Sequence, residues 1–236
     1  MRTRAFLVVV STAALLLAGC TDTTRLPSEE RSESPAPSES ESHADYYEDP
    51  SATSGGMSLQ TFPSLADLGP GWSFTTRSAE GESDYEVNST PAVERDVNEV
   101  IDDSIPEGCP QISPVPVPTS ALDVRYTYRD KPVTATEVEF VSADRAREFF
   151  SLWLEDLHAC EGAPAPIGGG LLVGQVIELA PGVVLSDRNP DLGRDQWVEL
   201  AILKQASVVW LHSSGPLGSR PFTSGRSVEI ARLFRG

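Results

Sequence analysis

Leu122-Asp123-Val124-Arg125-Tyr126-Thr127-Tyr128 alternates in polarity, turns through Arg129-Asp130-Lys131-Pro132, and resumes as Val133-Thr134-Ala135-Thr136-Glu137-Val138-Glu139-Phe140. Two β-rich runs across a short polar turn predict an antiparallel hairpin. The period then changes. From Ser142 to Cys160, the apolar set Ala146, Phe149, Phe150, Trp153, Leu154, Leu157 and Cys160 recurs at i, i+3, i+4 and i+7, which predicts an amphipathic helix. Ser142 is its N-cap, Asp144 lies in its first turn, and Gly162 with Pro164 and Pro166 closes it.

Working outward, Gln196–Leu203 and Ser207–His212 repeat the hairpin around Lys204-Gln205, and shorter strands are expected at Trp72–Thr76, Leu172–Leu179 and Val183–Ser186. A second helix is expected over Pro91–Ser104, with Val93, Val97, Val100 and Ile101 on one side and an acidic opposite face. A third is expected over Val228–Phe234. Strand hairpins with a few interleaved helices indicate an α+β domain, an antiparallel sheet with helices packed mainly on one face.

The start of the chain has another character. Arg2 and Arg4 precede the apolar run Ala5–Ala18, which is too short to span a bilayer, where roughly 20 apolar residues are needed. A basic start, a short apolar core and small residues before a cut describe a secretory signal peptide, here residues 1–19. Leu17-Ala18-Gly19-Cys20 resembles the lipobox of bacterial lipoproteins. That resemblance implies a diacylglyceryl group on Cys20 and an extracytoplasmic chain anchored to the outer face of the cell membrane.

Residues 20–56 are rich in Ser, Glu, Pro and Thr. Such a stretch cannot bury enough apolar surface to offset the entropy of ordering it. Its negative charge and prolines should extend it beyond the roughly 35 Å of a neutral flexible linker of this length, so it reads as an acidic tether. Residues 57–236 suffice for one domain with a proper core. The whole chain carries a net charge of −17, which argues against nucleic acid and against adsorption to anionic lipid. Only Lys131 and Lys204 are lysines among its 18 basic residues, a bias that fits a GC-rich, actinobacterial source.

Beyond Cys20 the cysteines are Cys109 and Cys160. In an exported domain two cysteines invite a disulfide, worth roughly 4 kcal/mol for a loop of about fifty residues in the chain-entropy treatment. The competing readings, a metal pair and a catalytic thiol, have no support, since no His or second Cys sits at ligand spacing from Cys109 or Cys160.

The order of elements resembles the PknH-like extracellular sensor domain, found outside mycobacterial Ser/Thr kinases and in free-standing lipoproteins. The resemblance rests on Leu68-Gly69-Pro70-Gly71-Trp72, on Pro106-Glu107-Gly108-Cys109-Pro110, on the Tyr-bearing hairpin, and on the helix with Trp153 and Cys160. It would cover residues 60–236. That family carries four cysteines in two disulfides, so one bridge would be missing here. The resemblance implies ligand sensing in a cleft.

No Gly-x-Ser-x-Gly, Ser-x-x-Lys, His-Glu-x-x-His or Walker pattern occurs. Of the three histidines, His43 falls in the tether, and His158 and His212 read as surface or strand-end residues. Gly168-Gly169-Gly170 neither follows a strand nor opens a helix. Asp187–Asp195 places oxygen side chains at alternate positions as calcium loops do, but Gly193 comes one place late, Glu199 is displaced by one, and Pro190 and two arginines intrude, so it reads as a polar turn. The expectation is therefore a non-enzymatic sensing or interaction domain with no cofactor, no metal and no catalytic residue. Its partners would be the membrane, through Cys20, and an unknown envelope protein or small ligand. Trp72, Tyr126, Tyr128 and Trp210 are equally groove or core residues. Two other readings are a lipid carrier, which requires an apolar cavity, and a hydrolase whose acid–base residues converge from distant segments.

Overall fold

Chain segments that alternate in polarity form strands here, and those with helical period form helices, in a computed structural model that describes residues 53–75, 90–105, 114–162, 173–188 and 196–236. All of these belong to one unit, Ser42–Gly236. A small hairpin opens it, β1 (Thr53–Ser54) and β2 (Met57–Ser58), so pairing begins inside the expected tether. Gly55 makes the turn with a φ of +58°. A 3-10 turn (Leu59–Thr61), α1 (Leu65–Leu68), β3 (Trp72–Phe74), β4 (Ala92–Glu94) and α2 (Val97–Ser104) follow. Then come the central hairpin β5 (Ser120–Tyr128) and β6 (Lys131–Glu139), and α3 (Ala143–Cys160). The last elements are β7 (Val173–Ala180), β8 (Val183–Arg188), β9 (Trp197–Leu203), β10 (Ser207–Ser214) and α4 (Ser224–Arg235).

Among the described residues eight strands form one antiparallel sheet in the order β3-β5-β6-β10-β9-β8-β7, with β4 joining the edge of β5 beside β3. The α+β class is as expected. The central turn is tighter than expected: Arg129 and Asp130 alone make it, both at positive φ (47° and 67°), as two-residue hairpin turns of the I′ class require.

Two expectations are corrected. The helix foreseen over Pro91–Ser104 is divided. Ala92–Glu94 pairs with Leu122–Val124 as a strand, and the helix begins only after Asp96, whose carboxylate accepts the Asn98 and Glu99 N–H groups. The helices also pack on both faces of the sheet. Val208-Val209-Trp210-Leu211 is apolar at both parities, so each face of β10 must be covered. On one face Val209 and Leu211 join Val124, Tyr126, Leu185, Leu200 and Phe222, and the residues Ile230, Ala231 and Phe234 of α4 close over them. On the other, Val208 and Trp210 join Ala121, Val138 and Ala201 under Phe149, Phe150, Trp153 and Leu157 of α3.

The helix α3 keeps its expected bounds, with Ser142 capping it through Arg145 N–H. At its end Cys160 is buried and is not a free thiol. Cys20 and Cys109 lie outside the described residues, as do the signal segment, most of the tether and Gly168–Gly170. Among the described residues no helix is long and apolar enough to cross a membrane.

Candidate functional site

Cross-strand register sorts the face beneath α3 into rows of graded polarity. Ala121, Val138, Val208 and Leu203 stand side by side across β5, β6, β10 and β9, an apolar row. One step along, Asp123, Thr136, Trp210, Ala201 and Val184 are in register. The next row is polar throughout: Arg125, Thr134, His212, Glu199 and Ser186. The long helix covers the apolar end. At the polar end the short α2 stands over the sheet and leaves a cleft of about 280 Å³.

The cleft's helix side is formed by Val100, Asp103 and Ser104, with Arg95 at the entry to α2. Its sheet side is formed by Asp123, Arg125, Thr134, Thr136, Trp210 and His212, and Trp197 at the start of β9 flanks it. The walls are fixed by two contacts that reach across elements. Arg95 Nη1 lies 2.8 Å from Asp123 Oδ2, and its Nη2 lies 3.5 Å from Asp103. Trp153 of α3 donates its Nε1–H to the Ser104 carbonyl at 3.1 Å, tying the end of α2 to the long helix.

A charge cluster backs the polar row. Glu199 is buried, and its Oε1 accepts from Arg188 Nη2 at 2.7 Å and from Ser186 Oγ at 3.3 Å. Its Oε2 lies 2.9 Å from His212 Nε2. Burial pushes this carboxyl up, but the Arg188 charge and the contacts with His212 outweigh it, and the pKa falls to about 2. Glu199 is therefore an anion that holds the His212 ring at the cleft wall.

Trp210 is different. It is 1% exposed and packs edge-on against Phe149 and Trp153, and its buried Nε1–H has no hydrogen-bond partner among the described residues. An indole N–H left unpaired in the interior costs roughly 1–3 kcal/mol, and most such groups find an acceptor.

Of Trp72, Tyr126, Tyr128 and Trp210, only Trp210 lines the cleft. Trp72 and Tyr126 pack edge-on in the core of the opposite face, 5.8 Å apart between centroids, with Tyr128 against that core. Burial, with the Glu137 charge added, pushes the Tyr126 hydroxyl far up, and it donates to the Pro63 carbonyl. His212, expected as a strand-end residue, is a cleft residue. His158 contacts Glu161 and Glu178 at the far end of α3. In the segment weighed as a calcium loop, Asp187 accepts from Gln175 N–H and Arg188 binds Glu199, so both serve the sheet; residues 189–195 lie outside the described residues. Among the described residues no group of three His, Cys, Asp or Glu side chains is placed to hold a metal ion.

Fold and site together define an α+β domain built on an eight-stranded antiparallel sheet, with a polar cleft between one sheet face and a short helix. No family model matches the chain, and no curated protein matches it. Among solved structures, the extracellular domain of PknH from Mycobacterium tuberculosis is similar at 17% identity and a TM-score of 0.37, over 50% of this chain and 63% of that one.

Proposed function

We propose that this chain is an envelope lipoprotein, anchored to the outer face of the membrane through Cys20, whose folded domain is a non-enzymatic ligand-sensing or interaction module. The cleft between α2 and the sheet is its binding site. The observation that carries this reading is Trp210, a cleft residue with a buried donor that no group among the described residues satisfies. The acidic groups of the site favour binding over catalysis. Asp123 is tied to Arg95, and Glu199 is tied to Arg188 and His212. Ser104 spends its hydroxyl proton on the Ile101 carbonyl. The charged and hydroxyl-bearing walls give no support to an acyl-chain carrier. Within the same reading, Cys109 pairs with Cys160 and fastens the end of α3 to the Pro-rich loop around Cys109.

Native mass spectrometry of the full chain tests this, after export in an actinobacterial host and release in mild detergent. The expected result is a small bound mass that is lost in Trp210→Phe and Trp197→Ala. A lipid-range mass retained in both variants would instead establish the carrier. The same spectra read the diacylglyceryl group on Cys20 and the loss of two hydrogens expected of a disulfide.

A further inference from the structure

The cleft's own charges specify the class of ligand. Arg95 and Arg125 balance Asp103 and Asp123 in formal charge, so the lining carries no net charge to be met. An anionic ligand would have to compete with Asp123 for Arg95, now held at 2.8 Å. A cation would have to take Asp123 from the same pair. Removing one partner from this part-buried ion pair leaves the other charge without its counter-ion, so a charged ligand enters at a penalty that a neutral one avoids.

The uncharged groups point the same way. Thr134 and Thr136, side by side with His212 and Trp210, present hydroxyls that both donate and accept, and neither makes a side-chain hydrogen bond among the described residues. The Trp210 N–H can only donate. Trp197, half-buried at the flank, offers an apolar ring face. A ligand that suits all of these is neutral, rich in hydroxyls, and has a C–H face to lie on an aromatic ring. The volume, about 280 Å³, is just below the usual range for small-molecule pockets, roughly 300–1,000 Å³.

We propose that the cleft binds a neutral polyol, a single sugar ring or cyclitol, with its ring face against Trp197 and its hydroxyls shared among Thr134, Thr136 and Trp210. This rests on the cleft being a binding site, the reading given above. Free sugar and the terminal unit of an envelope glycan share this chemistry.

Saturation-transfer NMR on the full chain separates the outcomes, with D-glucose, D-mannose, D-arabinose and myo-inositol as probes and sodium acetate, phosphate and choline beside them. At least one polyol should receive transfer, reduced at least fivefold by Trp197→Ala and by Thr136→Val. The second variant removes only a hydroxyl and suits a strand, so it guards against misfolding as the cause. A methyl glycoside and a glycan oligomer, compared with the free sugar, distinguish the two sources. Transfer to acetate, phosphate or choline alone, lost in the same variants, would overturn the polyol class while leaving the cleft a binding site. Transfer to no probe, with a variant-sensitive small mass still seen by native spectrometry, would do the same. Polyol transfer unchanged in both variants would overturn this assignment of the cleft.

Discussion

Burial alone would raise the pKa of the Glu199 carboxyl, whereas the Arg188 guanidinium 2.7 Å away and the His212 contact at 2.9 Å outweigh it, with a pKa of about 2 in place of 4.5. A carboxyl whose folded pKa lies below its unfolded value binds fewer protons folded than unfolded. Its contribution is therefore full above about pH 4.5 and is lost as the pH falls towards 2. A shift of this size corresponds to something on the order of 3 kcal/mol. Glu199→Gln should accordingly be less stable than the wild type at pH 7 by roughly 3–5 kcal/mol, because Arg188 is left buried without its counter-ion. Urea midpoints of the two proteins, measured from pH 7 down to pH 2, should converge as acid removes the wild-type advantage. A constant gap would mean that the cost is one of packing. In sequence Glu199 enters only as a displaced position of the calcium-loop pattern, and it alternates with Val198 and Leu200 as a solvent-facing residue of a half-covered sheet would.

At the scale of the element, the contrast between α2 and α3 shows what local pattern can decide. The longer helix has its stripe, cap and stop in sequence, and Ser142 and Cys160 bound it as expected. The shorter one shares its apolar spacing with the segment before it, Val93 and Val97 included, so periodicity alone extends it back to Pro91. What stops it at Val97 is a partner 28 to 32 residues away: Ala92–Glu94 gains a ladder with Leu122–Val124, a tertiary preference that local spacing does not encode. Eight residues form a marginal helix on their own. The Asp96 cap, with its pKa lowered by the N–H groups of Asn98 and Glu99, therefore bears directly on the cleft wall. Asp96→Ala should leave the sheet intact but speed amide exchange severalfold across Val100–Ser104, measured by hydrogen–deuterium exchange. Equal protection in the variant would show that the Trp153–Ser104 tie holds the helix without its cap.

Across the whole molecule, one sheet serves two cores, and the cleft exists because the helices cover its faces unequally. Its residues come from segments as far apart as Arg95 and His212. Their common parity was readable, but the register that lines up Arg125, Thr134, His212 and Glu199 was not, because pairing across β6 and β10 joins segments about 80 residues apart in sequence. Helices expected mainly on one face make the closing helix a surface attachment. The structure instead packs Phe234 of α4 edge-on against Phe62, 6.1 Å between centroids, within a core that includes Leu185, Leu200 and Ile202. Phe149 of α3 holds the equivalent place on the other face, against Phe140 and Trp210. Both are essentially unexposed, so truncation of either leaves a cavity costing roughly 3–5 kcal/mol. Because the strands between them are shared, Phe149→Ala and Phe234→Ala should each lower the urea midpoint by a similar amount while keeping one transition, followed by both tryptophan fluorescence and circular dichroism. Two separated transitions in either variant would mean that the faces fold independently. A cost below about 1 kcal/mol for Phe234→Ala would return the last helix to the periphery, since fully buried aromatics lose more than that on truncation.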